Sequence, residues 1–150
     1  MERKFVLIGC MVAMLSPSAW AERGGQSSSR AFIVVRRCVE RIESLGERSV
    51  RIIAHQAVRS VGLIDHLQQS GMANEAVVIA GRSTAHIGEV VKNADALVDQ
   101  VLEDCTMILV RMEAPQPALD LVQAAATLAK EKIQSAGARA LMAIQAALNT

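Results

Sequence analysis

Beyond residue 30, apolar side chains return every three or four positions, which is the spacing of one face of an α-helix. The first such series runs Val35, Val39, Ile42, Leu45, Ser49, Ile53, Ala57, Val61, Ile64, Leu67. Ser28 or Ser29 is placed to cap its start, and Gly71 to end it. Gly46 and Gly62 each weaken the interior by up to about 1 kcal/mol relative to alanine, so the pattern admits a break near Gly46. A second series comprises Ala76, Ala80, Ser83, Ile87, Val90, Ala94, Leu97, Val101, Cys105, Ile108 and Met112. It advances at the helical repeat of about 3.6 residues. Pro115 and Pro117 stop it, and Pro117 suits the first turn of the next helix. The third series is Leu119, Val122, Ala126, Ala129, Ile133, Ala136, Ala140, Ile144, Ala147. Its alanines give it high intrinsic helicity and a thin layer of side chains.

No segment alternates apolar and polar residues as a half-buried strand would. Three long helices with short connections predict an all-α fold, an antiparallel up-down-up bundle forming one domain over residues 30–150.

The residues before this bundle have a different character. Arg3 and Lys4 beside Glu2 are followed by eleven apolar residues, Phe5 to Leu15, then by Ser16-Pro17-Ser18 and Ala19-Trp20-Ala21. A basic end, a short apolar core, a breaker and small residues at the last and third-last positions are the order of a secretory signal peptide, cleaved after Ala21. The apolar run is shorter than the roughly 20 residues a transmembrane helix needs. Leu7-Ile8-Gly9-Cys10 has the look of a lipidation box, but it leaves almost no apolar core before the cysteine and the run continues past it. Export from a bacterium, to the periplasm or beyond, is therefore the expectation, with no transmembrane helix once residues 1–21 are gone. Residues 22–29 (ERGGQSSS) are polar and glycine-rich and read as a flexible lead-in.

Removing residues 1–21 changes the composition in ways that bear on function. Sixteen bases and fifteen acids become fourteen of each. Phe5 and Trp20 depart, leaving Phe32 as the one aromatic residue. Zero net charge and no stacking platform argue against a nucleic-acid partner.

Charge is nonetheless uneven along the chain. Residues 29–70 carry seven arginines against four acids, and residues 72–113 carry three bases against seven acids. Opposite signs on consecutive helices favour their pairing modestly. Arg36, Arg37, Arg41 and Arg48 head the basic cluster, a candidate docking face for an acidic partner or an anionic membrane surface.

In an antiparallel hairpin, residues equally far from the turn lie at one level. Cys38 and Cys105 stand almost equally far from Gly71, and both fall on or beside the apolar faces. In an oxidising compartment this level match predicts a Cys38–Cys105 disulfide. His55 and His86 match in level in the same way, and Glu89 follows His86 by three residues. The three form a weak candidate metal set, unsupported by any H-E-x-x-H spacing. The chain contains no G-x-S-x-G, Walker or dinucleotide-binding loop, and no C-x-x-C-H haem attachment. The expectation is a protein without cofactor or catalytic site, one that binds another protein or itself through a helical face. An apolar ligand or membrane surface, held by an amphipathic face, is the alternative.

Overall fold

The computed structural model of the chain describes residues 25–149. The predicted signal peptide, residues 1–21, lies outside the described residues, as do residues 22–24 of the lead-in. Three helices follow in order: α1, Gly25–Gln69; α2, Ala73–Arg111; and α3, Gln116–Leu148. They form an antiparallel three-helix bundle with no strand among the described residues.

α1 is continuous through Gly46, where the sequence admits a break. It also includes Gly25 to Ser29, so Ser28 and Ser29 lie inside the helix rather than at its cap. Extending a helix already formed adds one hydrogen bond per residue fixed, which offsets the poor intrinsic preference of glycine and serine.

Both connections end their helices with the same device. After α1, the Met72 amide donates to the Leu67 carbonyl and the Gly71 amide to that of Gln68, at 2.9 Å each. This is a Schellman turn, and Gly71 takes its left-handed position with φ 77°. After α2, the Ala114 amide donates to Leu109 O and the Glu113 amide to Val110 O, at 3.0 Å each. Here a glutamate, Glu113, occupies the left-handed position with φ 53°. A side chain at that position costs about 1–2 kcal/mol, which glycine avoids.

By packing, the chain divides into two compact units. The first comprises residues up to Glu43 together with Asp99–Thr127; the second comprises Ser44–Val98 and Leu128 onward. In the first unit α1 contributes Val35, Val39 and Ile42, α2 contributes Val101 and Leu109, and α3 contributes Val122 to the buried layer. In the second unit Ile53, Ile64, Ile87, Val98, Ile133 and Ile144 are the large buried side chains, set among alanines of α2 and α3. Alanine and glycine let backbones approach closely there. A Cβ added to Gly46 would lie 3.1 Å from Ala129 Cβ, and one added to Gly137 would lie 2.7 Å from Val91 Cγ2. Polar ties complete this unit: Gln68 Nε2 donates to the Leu148 carbonyl at the end of α3 (3.1 Å), and Gln134 Nε2 donates to Asp95 Oδ2 (3.0 Å). The other carboxylate oxygen, Asp95 Oδ1, is buried without a hydrogen-bond partner.

The apolar series of α1 and α3 are buried or half-buried at every position read from the sequence. α2 differs at two. Leu97 and Ile108 are nearly half exposed, while their neighbours Val98 and Leu109 are fully buried. Steps of three and four both continue a helical stripe, so where two adjacent residues are apolar the spacing alone does not choose between them. The consequence is measurable by denaturant titration. Val98→Ala is expected to cost about 2 kcal/mol, from two lost methyl groups and the cavity left behind. Leu97→Ala should stay within about 0.5 kcal/mol, as exposed positions do.

Candidate functional site

Cys38 of α1 and Cys105 of α2 are joined in a disulfide within the first unit, with a Cα–Cα distance of 6.0 Å. That separation lies within the range a disulfide requires. Both cysteines are buried, at 5% and 3% exposure. The level match read from the sequence is thus realised, with both residues turned toward the interior. A buried, bridged pair has no thiolate to offer as nucleophile or metal ligand. Its effect is to fasten α1 to α2.

The metal candidate is not assembled. His55, His86 and Glu89 are all exposed. Among the described residues no group of three or more His, Cys, Asp or Glu is gathered so that it could hold a metal ion. Matching level fixes height along the hairpin but not the angle around each helix. Successive residues turn by about 100°, and these side chains point into solvent.

The basic cluster divides by angle in the same way. Arg36 lies to one side of α1, where its Nε donates to Glu40 Oε1 at 2.8 Å in a solvent-exposed i,i+4 pair. Such a pair is worth only about 0.3–0.5 kcal/mol. Arg37, Arg41 and Arg48 are exposed and point away from the core. Among the described residues none of these three is held by a salt bridge. Phe32, Ile33, Arg36, Arg37 and Glu40 line a shallow, open depression of about 250 Å³. Its lining is mixed: two arginines, one glutamate and two apolar side chains.

A second exposed feature escaped the sequence reading. Toward the end of α2, still in the first unit, Met107, Ile108 and Val110 are 46–60% exposed. Glu103, four residues before Met107, is exposed too, and Asp104 is half-buried. The signal was present in the sequence: Met107-Ile108-Leu109-Val110 is an unbroken apolar run. Four consecutive residues go right round a helix, so one of them, Leu109, meets the core and the other three cannot.

No helix among the described residues is long and apolar enough to cross a membrane. Compared with protein-family models, curated proteins and solved structures, the chain finds no match.

Proposed function

We propose that this protein is an exported, non-enzymatic helical bundle that binds another protein, or a second copy of itself, through an exposed helical face. The observation that carries the reading is the exposed pair Met107 and Val110, three residues apart on one face of α2, with acidic Glu103 one turn before Met107 and Ile108 exposed at the flank. Large apolar side chains clustered on a surface and rimmed by charge are the makeup of an interface. Their burial against a partner returns about 25 cal/mol for each Å² of apolar surface removed from water. The disulfide supports export, because such bonds persist in oxidising compartments, and the charge, core and cleavage order of residues 1–21 supports it independently.

The test is association of the purified protein, followed by light scattering after gel filtration and by cross-linking in the exported fraction. Met107→Asp with Val110→Asp is expected to abolish the complex while leaving the thermal midpoint within about 3 °C, since both residues lie outside the core. A wild-type protein that stays monomeric and yields no cross-linked species would refute the reading. Complexes formed equally well by the double variant would move the interface elsewhere.

A further inference from the structure

The bases of α1 are all arginine; the lysines of the bundle, Lys92, Lys130 and Lys132, belong to α2 and α3. Nor are these arginines scattered. In the first unit Arg30, Ile33, Arg37 and Arg41 advance by three, four and four residues, and all four are exposed. In the second unit Arg48, Arg51, His55 and Arg59 advance by the same steps, and all four are exposed. Steps of three and four hold one face of a helix. It is the face turned away from the buried series of Val35, Val39 and Ile42 in the first unit and of Ile53, Ala57 and Ile64 in the second. Acids stand only at its edge. Glu40 is taken by Arg36, and Glu47 is exposed beside the start of the second set.

Apolar side chains stand among these arginines. Ile33, within the first set, is 51% exposed. In the second unit Ile52 follows Arg48 by four residues and Val58 follows His55 by three, with exposures of 43% and 73%. Arginine presents a planar fork of donors that matches phosphate oxygens two at a time, which lysine cannot do. Isoleucine and valine beside it gain nothing from phosphate, but they gain from an apolar layer lying just beneath one.

From this pattern we propose that the outward face of α1 in each unit docks on the surface of an anionic phospholipid bilayer, its arginines on the headgroup phosphates, with Ile33 in the first unit and Ile52 and Val58 in the second dipping into the acyl boundary. The inference goes beyond the protein-to-protein reading and uses a different helix from the α2 patch. A bilayer supplies phosphate and hydrocarbon together. It is also uniform along its plane, so arginines set at the same spacing in each unit find the same partner twice. The single aromatic of the bundle, Phe32, leaves no stacking platform for nucleic-acid bases.

The experiment is co-flotation of the purified protein with vesicles of phosphatidylcholine alone or with about a third phosphatidylglycerol, at low and high salt. Binding is expected to the anionic vesicles only, and to fall steeply with salt. Arg37→Glu with Arg41→Glu, and separately Arg48→Glu with Arg59→Glu, should each weaken it roughly thirtyfold or more, at about a factor of five per arginine removed from the surface. Ile33→Ser with Val58→Ser should weaken it at unchanged charge. Circular dichroism of each variant confirms that the helices are intact. The proposal is overturned by absence of binding to anionic vesicles at low salt, or by binding that the arginine reversals leave unchanged. It is equally overturned if duplex DNA or polyglutamate binds as tightly as the vesicles and Ile33→Ser with Val58→Ser has no effect, because the face would then be a general polyanion binder.

Discussion

Reduction of the Cys38–Cys105 bond is expected to lower the thermal midpoint of this protein by roughly 15 °C. The bridge joins residues 67 apart in sequence. Opening a loop of that size returns conformational entropy to the unfolded chain worth about 4 kcal/mol in the loop-closure model. Reduction keeps both sulfurs in the core as buried thiols, which must move apart from bonding to van der Waals distance, so the measurement reports the lost cross-link together with that local repacking. Cys38→Ala with Cys105→Ala should lose a little more, because it also removes two buried sulfurs. The check is a pair of melts with and without reductant. It is accompanied by mass spectrometry after alkylation without reductant, in which neither cysteine should be labelled. Equal midpoints, or labelling of both cysteines in unreduced exported protein, would sink the prediction.

The disulfide was legible in the sequence because an antiparallel hairpin converts spacing into height. Once Gly71 is known to turn the chain, the heights of Cys38 and Cys105 follow. Height alone, however, does not say which way a side chain points. Cys105 belongs to the buried stripe of α2 and Cys38 adjoins Val39 and Ile42 on that of α1, so burial supplied the missing angle. His55 and His86 match equally well in height, but each has the polar surroundings of an outer face, and the structure leaves both exposed. The same missing angle explains the α2 errors at Leu97 and Ile108. It also separates Arg36 from the arginine face: Arg37, Arg41 and Arg48 keep steps of three and four with Arg30 and Arg51, whereas Arg36 stands one position off that spacing and pairs with Glu40. The ends of the helices were legible to different degrees. Gly71 announces its left-handed turn, whereas Glu113 makes the same turn with no glycine to announce it, and the stop is marked by Pro115 and Pro117 alone.

Gly46 reverses its meaning between sequence and structure. As a sequence signal it marks a weak point in α1. In the folded protein it is a point of close backbone approach between α1 and α3, since an added Cβ would meet both Ala129 Cβ at 3.1 Å and Ala129 Cα at 3.4 Å. Neither atom can rotate aside, because an alanine side chain has no rotamer and its Cα is fixed in the helix. Gly46→Leu must therefore push the helices apart within the second unit, and the expected cost is about 4 kcal/mol, at the severe end for a single substitution. Gly46→Ala sets two terms against each other: about 1 kcal/mol gained in helix propensity, and overpacking of about 1–2 kcal/mol. Its net effect should fall within about 1 kcal/mol of wild type. The decisive measurement is the exchange of the two side chains. Ala129→Gly alone loses about 1 kcal/mol of helix propensity together with the contact. Adding Gly46→Ala to it restores one methyl across the same gap and should recover most of that loss. A double-mutant cycle by denaturant titration then gives a favourable coupling of about 1 kcal/mol or more. Additive effects would mean that the two residues do not touch, and a harmless Gly46→Leu would mean that α1 bends at this glycine after all.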